Sequence, residues 1–336
     1  MRTFRCTCGA RVFFENTQCL TCSRELGFLP NRLTLSTLEP SDAGDYRAGN
    51  AKGTYKKCQN YVEHGVCNWM IDVADPQPLC LACRLNNVIP NLANPESREL
   101  WAGVETAKRR LVYTLSRLKL PLVPKSEDPQ GGLAFDIKAE VGSEGVLTGH
   151  ADGLITLNLS EADPVAREKM RIAMNEQYRT LLGHFRHEVG HYYWQRLIRD
   201  SIHLEPFRAL FGDERANYAQ ALRRHYENGA PAGFAESYIS AYASAHPWED
   251  WAETFAHYLH VIDTLETAHH FGFTSDVPRQ VSVVYITDFD LLMREWLEIT
   301  VALNALNRSM GLPDAYPFAI SATVRDKLAF VHQHAR

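Results

Sequence analysis

The sequence predicts an α+β fold, with a small, turn-rich, metal-stabilised amino-terminal module followed by a mostly helical domain with a short β-sheet. All eight cysteines fall between Cys6 and Cys83, and beyond them strand patterns come first and helical patterns later. With 336 residues and 45% hydrophobic content, the chain is long enough for two domains. We therefore expect the module over residues 1–94, a connecting helix over 95–120 and a second domain over 121–336.

Composition and charge argue against two classes of partner. The net charge is −5, and residues 1–94 carry ten Lys+Arg against eight Asp+Glu, an excess too small for general attraction to phosphate or lipid. The first residues contain no apolar signal-peptide core, and no run approaches the roughly 20 apolar residues of a membrane helix. We expect a cytoplasmic protein with no membrane partner, and we do not expect nucleic acid as a partner.

The cysteine spacings favour metal sites over disulfides. A C-x-x-C knuckle places two thiolates at one metal ion, and two such half-sites complete a closed, tetrahedral zinc site. Disulfides or free thiols are the alternative, which a reducing compartment disfavours. We predict a double zinc-ribbon-like module with two structural zinc sites. Their ligands are Cys6, Cys8, Cys19 and Cys22 in the first site, and Cys58, Cys67, Cys80 and Cys83 in the second.

Beyond the cysteines, capping signals mark the helices. The run Asn94-Pro95-Glu96 combines a capping side chain, a proline in the first turn and an acid near the positive helix end, so the connecting helix begins there. Residues 133–137 and 153–159 have the composition of short strands. Asp163-Pro164 caps the first of the later helices. The other helices are predicted at about 178–199, 213–227, 232–243, 247–270, 288–309 and 323–334.

The motif His187-Glu188-Val189-Gly190-His191 indicates the chemistry. On a helix, positions i and i+4 lie on one face, so the two imidazoles can each offer one nitrogen to the same Zn²⁺. Glu188 points about 100° away, where its carboxylate can take a proton from a zinc-activated water. We predict a catalytic zinc bound by His187 and His191, with Glu188 as general base. A buried polar cluster without metal is the alternative.

A catalytic zinc needs a third protein ligand and one open position. One face of a downstream helix carries four ionisable side chains, which are costly to bury without a compensating charge: Glu249, Glu253, His257 and His260. We choose Glu253, in the middle of this stripe, as the third ligand, with Glu249 or Asp250 as the alternatives. His257, one turn further on, would suit a residue that orients a ligand.

The negative charge of a tetrahedral intermediate needs a hydrogen-bond donor besides zinc. The candidates lie on or just after the helix that precedes the Glu253 helix: Tyr238, Tyr242 and His246. Core packing is the alternative for each of them. Two further histidines could approach the site, His150 and His184.

The pairing of His187-Glu188-x-x-His191 with Glu253 resembles the gluzincin group of metallopeptidases. This resemblance implies a zincin-like domain and hydrolysis of peptide bonds. In that group the glutamate ligand is commonly followed four residues later by an aspartate that supports a histidine ligand, a position that holds His257 here. A strand before the metal helix binds the substrate backbone in gluzincins as an added edge strand, which implies that role for residues 154–159.

Over nearly its full length, the chain also resembles a bacterial family of zinc-binding metallopeptidases with an amino-terminal zinc ribbon. The resemblance implies a peptidase and names no substrate. It rests on residues 13–17 (FFENT), 67–69 (CNW), 80–86 (CLACRLN), 178–188 (YRTLLGHFRHE) and 246–253 (HPWEDWAE).

We therefore expect a zinc metallopeptidase with one catalytic and two structural zinc ions. Its partner would be a protein or peptide substrate, which the zinc-ribbon module could dock. Two alternatives stay open. The ribbon could be an adaptor that binds proteins while the histidine site holds metal without catalysis, or the same ligands could hydrolyse a non-peptide amide. Tyr55-Lys56-Lys57 is the one short basic stretch in residues 1–94, which weakens the case for nucleic-acid binding.

Overall fold

The computed structural model describes residues 2–140, 146, 148–173, 176, 179–274, 277 and 281–336. The chain divides into two compact units. Unit 1 comprises Met1–Arg117, Pro121–Thr148 and Thr156–Asp163. Unit 2 comprises Leu118–Leu120, Gly149–Ile155 and Pro164–Arg336. The predicted α+β class is confirmed, because sheets occupy the first part of the chain and helices dominate the second.

Unit 1 begins with two antiparallel sheets made of consecutive strands. The first pairs β1 (Phe4–Arg5) with β2 (Arg11–Val12). The second has five strands in chain order, each antiparallel to the next. They share a buried apolar cluster made of Leu29, Leu38, Tyr55 and Met70. The five strands are β3 (Leu26–Leu29), β4 (Thr34–Pro40), β5 (Tyr46–Ala48), β6 (Thr54–Lys57) and β7 (Met70–Asp72).

Three short elements and a long helix follow in unit 1. Asn94 caps this helix as predicted, because its Oδ1 accepts a hydrogen bond from the Glu96 backbone at 3.1 Å. The elements are α1 (Gln59–Val62), α2 (Leu81–Arg84), β8 (Asn86–Val88) and the long helix α3 (Pro95–Arg117).

Helix α3 contributes to the core of unit 1. The ring of Tyr113 packs against Phe14 and Phe28, with centroids 5.2 Å and 6.0 Å apart. Arg110 binds Glu15 through Nε and Oε1 at 2.6 Å. The helix predicted as a connector is therefore packed against the cysteine-bearing segment.

Three further strands follow α3. Strand β9 (Ala134–Lys138), predicted at 133–137, runs parallel to β8. Strands β10 (Gly149–Ala151) and β11 (Leu154–Asn158) form a hairpin, whose turn residues Asp152 and Gly153 both have positive φ values of 46° and 79°. An Asp-Gly pair suits this turn because both central residues must be left-handed. Among the described strands of this sheet, β11 lies between β9 and β10, and β10 is an outer strand.

Helices make up most of unit 2. None of the described helices combines the length and the apolar character that a bilayer-spanning segment needs. Short 3₁₀ turns at Phe234–Glu236, Tyr242–Ala245 and Val283–Tyr285 interrupt the series. The helices are α4 (Pro164–Ala173), α5 (Leu181–Leu197), α6 (Leu204–Phe211), α7 (Tyr218–Asn228), α8 (Pro247–Phe271), α9 (Phe289–Ser309) and α10 (Ala322–His334).

Two helix predictions differ from the structure. The helix expected at 232–243 is absent among the described residues, and two 3₁₀ turns stand there instead. Gly233 has a φ of 76°, a left-handed conformation that a regular helix cannot contain. Helix α6 was not predicted. The expected helix start at Tyr178 lies outside the described residues, and α5 begins at Leu181.

Helices α5 and α8 cross very closely in unit 2. A Cβ atom on Gly190 would lie 3.0 Å from the Cα atom and 3.1 Å from the carbonyl oxygen of Ala252. Trp251 stabilises the crossing of the two helices, because its Nε1 donates a hydrogen bond to the Gly190 carbonyl at 2.9 Å. The absence of a side chain at Gly190 therefore lets the backbones of the two helices touch.

Candidate metal centres

The eight cysteines form two groups of four, as the spacings predicted. None of them forms a disulfide. In the first group the Sγ atoms of Cys6 and Cys22 are 3.5 Å apart and those of Cys8 and Cys19 are 3.7 Å apart. In the second, Cys67 and Cys80 are 3.8 Å apart. Four thiolates about 2.3 Å from one tetrahedral zinc would be about 3.8 Å apart, so both groups fit a zinc ion.

The two groups differ in their exposure to solvent. In the first group, Cys8 is exposed and Cys22 is half-buried. All four cysteines of the second group are buried, and backbone N–H groups point at two of their sulfur atoms. Trp69 donates to Cys67 Sγ and Cys80 donates to Cys58 Sγ, each at 3.4 Å.

A third group of potential ligands lies on helix α5. Thr180 caps this helix, because its hydroxyl accepts a hydrogen bond from the Gly183 backbone at 3.0 Å. His187 and His191 are buried one turn apart, and their Nε2 atoms are 3.2 Å apart. Two nitrogens bound at about 2.0–2.1 Å to one tetrahedral zinc would be about 3.4 Å apart. The two imidazoles are therefore placed to share one ion.

Glu249, in the first turn of α8, completes this group. Its Oε2 lies 3.0 Å from His187 Nε2 and 3.4 Å from His191 Nε2, and the residue is 1% exposed. Although these contacts are short, they do not have hydrogen-bond geometry, and this buried oxygen has no hydrogen-bond partner among the described residues. A buried carboxylate oxygen of this kind is costly unless a cation compensates it. A zinc ion between the three atoms would satisfy all of them.

The structure places Glu253 elsewhere than predicted. Its Oε1 accepts a hydrogen bond from His187 Nδ1 at 2.6 Å, and its Oε2 accepts one from Ser240 Oγ at 2.6 Å. Both oxygens are thus occupied on the far side of the His187 ring from Glu249. The geometry therefore differs from the predicted choice: Glu249, an alternative in the sequence, lies with His187 and His191 in the group that could hold a metal ion, and Glu253 contacts Nδ1 of His187 instead.

With Glu249 as ligand, the spacing resembles the gluzincin pattern noted above, with a glutamate in place of the aspartate. A carboxylate, Glu253, then stands four residues after the glutamate ligand and supports a histidine ligand. His257 bonds instead to the hydroxyl of Tyr316, through Nδ1 at 2.8 Å. Asp250, the other alternative, forms a buried ion pair with Lys327 at 2.6 Å.

Glu188 lies beside the centre on helix α5 and is buried. His184 Nε2 contacts its Oε1 at 3.1 Å. Burial alone would raise the pKa of Glu188, but the hydrogen bond from His184 and the nearby imidazoles keep that pKa below its usual value. The carboxylate is therefore ionised near neutrality and can accept a proton.

Of the three predicted hydrogen-bond donors, Tyr242 lies at the centre. Its ring centroid is 5.8 Å from that of His187. Burial, with added repulsion from the Glu249 carboxylate, raises the pKa of Tyr242 above its usual range. Its hydroxyl therefore stays protonated and can donate a hydrogen bond.

Tyr238 and His246 have other contacts. The ring of Tyr238 packs under Lys327, whose Nζ is 4.5 Å from the ring centroid. Both ring nitrogens of His246 are engaged: Nδ1 accepts from the Trp248 backbone at 3.1 Å, and Nε2 donates to the Ala216 carbonyl at 3.0 Å. His246 is thus the amino-terminal cap of α8, which corrects its assignment as a donor to substrate.

Three aromatic side chains near the centre were missed or left open by the sequence. The hydroxyl of Tyr218 donates a hydrogen bond to Glu249 Oε1 at 2.6 Å. The ring of Trp248 lies 4.0 Å from that of His191. His150, on the outer strand β10, stacks on His191 with centroids 6.1 Å apart. No local pattern around Tyr218 could have indicated its contact, since 31 residues separate it from Glu249.

Comparison with known proteins gives a family match for each part of the chain. Residues 3–94 match the model of a family described as "zinc-ribbon domain". The uncharacterized proteins Mb2598c of Mycobacterium bovis and Rv2568c of Mycobacterium tuberculosis are each 44% identical to this chain over 339 residues, which cover 99% of this chain and 94% of theirs. No solved structure is significantly similar. Residues 97–334 match the model of the family described as "Putative zinc-binding metallo-peptidase", and the chain belongs to that family.

Proposed function

We propose that the chain is a zinc-dependent peptidase, with His187, His191 and Glu249 as the ligands of its catalytic metal. The observation that carries the proposal is the convergence of two Nε2 atoms and one unbonded carboxylate oxygen within 3.0–3.4 Å, beside a second buried carboxylate, Glu188. Three protein ligands leave one of four tetrahedral positions for substrate or water, which distinguishes a catalytic from a structural site.

Each of the surrounding residues has a separate task in this proposal. A bound zinc ion would polarise the scissile carbonyl and acidify water. Glu188 takes the proton from the attacking water and passes it to the leaving amine. Tyr242 donates a hydrogen bond to the developing oxyanion. Glu253 holds His187 in the tautomer whose Nε2 is free to bind metal.

Strand β10 is the proposed docking edge for the substrate backbone. The resemblance to gluzincins implied this role for residues 154–159, but β11 is an inner strand and β10 is the outer one. Extended peptides bind at the outer strand of a sheet by adding to it as a further strand. His150 lies on this strand and stacks on His191, so a peptide added to β10 would pass close to the metal ligands.

The two cysteine groups are proposed as structural zinc sites, which gives three zinc ions per chain. Each group supplies four thiolates and leaves no position open. The zinc-ribbon segment is also the proposed docking element for protein substrates. A cytoplasmic location is part of the proposal, because eight reduced cysteines suit a reducing compartment.

The decisive test compares Glu188→Gln with Glu236→Gln, a matched change at an exposed position in the same unit. The proteins are incubated with a degenerate fluorogenic peptide library and a panel of non-peptide amides, and zinc content is measured in parallel. We expect Glu188→Gln to lose at least about 100-fold in peptide hydrolysis while all bound zinc is retained. Equal activity in the two variants would refute the role of Glu188. Cleavage of amides but not peptides would favour the non-peptide alternative.

A further inference from the structure

The two oxygens of Glu249 have different surroundings. Oε2 faces the Nε2 atoms of both histidines, whereas Oε1 accepts the hydroxyl hydrogen bond of Tyr218 at 2.6 Å. A carboxylate can bind a metal through one oxygen or through both, and binding through both uses a position that a catalytic site must keep open. Whatever occupies Oε1 therefore affects how many positions remain for substrate.

Tyr218 is held in place by the amino-terminal ends of two helices. It is the first residue of α7, whose cap Asn217 accepts a hydrogen bond from the Gln220 backbone at 3.0 Å. Its ring packs edge-on against His246 and Trp248, with centroids 5.2 Å and 5.8 Å apart. His246 in turn bonds to the carbonyl of Ala216 at 3.0 Å, which links the start of α8 to the start of α7.

We propose that Tyr218 is a positioning residue, whose hydroxyl occupies Glu249 Oε1 so that Oε2 alone is offered to the metal. This inference rests on the proposed metal site of His187, His191 and Glu249. It extends that proposal, since it assigns the control of metal coordination to a residue that lies 31 positions before the ligand in the chain. A phenolic hydroxyl next to a carboxylate must donate the hydrogen bond, so Oε1 is satisfied without the metal.

The chemistry of the contact makes Tyr218→Phe a clean variant. Tyr218 is 38% exposed, and phenylalanine keeps the ring that packs against His246 and Trp248 while removing the hydroxyl that bonds to Glu249. Tyr226→Phe is the matched control, because Tyr226 lies on the same helix and is 60% exposed. Both changes remove a single hydroxyl group from α7.

The experiment measures metal coordination in the full chain rather than activity. The cysteine sites are kept loaded with zinc, and the histidine site is emptied with a mild chelator and refilled with Co²⁺. The visible absorption of Co²⁺ weakens as its coordination number rises, so it reports whether Glu249 binds through one oxygen or two. Zinc affinity of the same site is measured by competition with a chromogenic chelator, and thermal unfolding is recorded for every variant.

We expect Tyr218→Phe to weaken the Co²⁺ absorption bands and to lower zinc affinity by about 10–100-fold, with thermal unfolding close to that of the parent. Tyr226→Phe should match the parent in all three measurements. An unchanged Co²⁺ spectrum and zinc affinity in Tyr218→Phe would overturn the inference and leave the proposed function standing. A parent protein that binds no metal beyond its cysteine sites would instead overturn the proposed function itself.

Discussion

The two units of the chain offer different side chains as potential metal ligands. All eight cysteines lie in unit 1, whereas thirteen of the fourteen histidines lie in unit 2, and His64 is the exception. Thiolates in unit 1 project from turns and single-turn helices, and imidazoles in unit 2 project from a long helix. Four thiolates close a tetrahedral site, but two imidazoles and one carboxylate leave it open. In the proposed function, the residue types thus separate a structural metal in unit 1 from a catalytic metal in unit 2.

The packing of each unit agrees with this division. In unit 1 the buried aromatic side chains lie beside the cysteines: Trp69, two residues after Cys67, packs against Phe14 and Phe28, and segments built around structural zinc sites depend on the metal for stability. In unit 2 the crossing of α5 and α8 buries large side chains such as Trp251 and Phe255 completely. Unit 2 should therefore keep its fold without metal, and unit 1 should not.

The largest expected effect comes from removing one ligand in each unit. Cys83→Ser should destabilise unit 1 by more than about 5 kcal/mol, since structural zinc contributes about 10–16 kcal/mol in small zinc-finger peptides. His191→Gln should abolish metal binding at the histidine site while unit 2 stays folded. Zinc stoichiometry and differential scanning calorimetry of both variants provide the check. If unit 1 stays folded in Cys83→Ser and still melts cooperatively, the proposed difference in metal dependence between the two units is wrong.

The next effect distinguishes two carboxylates in unit 2. Glu249→Gln should weaken zinc binding at the histidine site by more than about 100-fold, because it removes a ligand. Glu253→Gln should weaken zinc binding by about 10–100-fold, because it removes only the partner of His187 Nδ1. Chelator competition on the purified variants measures both. The reverse order would restore Glu253 as the third ligand.

A smaller effect should separate the two cysteine groups within unit 1. Cys8 is exposed, whereas all four cysteines of the second group are buried. A chelator should therefore remove zinc from the first group roughly tenfold faster than from the second, since release from the second requires local unfolding. Stopped-flow absorbance with a zinc indicator would resolve two phases. Cys8→Ser should eliminate the fast phase and leave the slow one unchanged.

The smallest expected effect is a dependence of unit 2 stability on pH. Burial, aided by the charge of Arg336, lowers the pKa of His332 to about 4, whereas an unfolded histidine has a pKa of about 6.5. The unfolded state therefore takes up a proton first, and this contribution to stability is lost as pH falls from about 6.5 towards 4. The melting temperature of unit 2 should fall between pH 7 and 5.5. His332→Gln should reduce that slope, and an identical slope in the variant would exclude His332 as its source.

Local patterns in the sequence predicted much of the fold and part of the site. The C-x-C and C-x-x-C spacings paired six of the eight cysteines, because each knuckle is set by the chain over a few residues. Cys58 and Cys67, which are nine positions apart, also lie in the group predicted for them. The i, i+4 spacing of His187 and His191 likewise follows from one helix. The capping signals at Asn94 predicted where the long helix α3 begins.

Contacts between distant helices could not be predicted in this way. Glu249 and Glu253 lie one turn apart on the same face of α8, and only the crossing with α5 determines which carboxylate reaches the histidine Nε2 atoms. The contact of Tyr218 with Glu249 joins two helices by a single hydrogen bond that leaves no periodic signal. His246 has the chemistry of a proton donor, but its position before Pro247 makes it a helix cap.

The position of Gly190 at the crossing of α5 and α8 has a consequence for the evolution of the family. It is not among the proposed ligands, yet a Cβ atom there would lie 3.0 Å from the Cα atom of Ala252, so helix α8, which carries Glu249, would have to shift by a few tenths of an ångström. Natural selection should then preserve this glycine as strictly as the ligands themselves. Family members that have lost the metal should tolerate other residues at this position. The residue between Val189 and His191 would then indicate which members of the family still have a functional metal site.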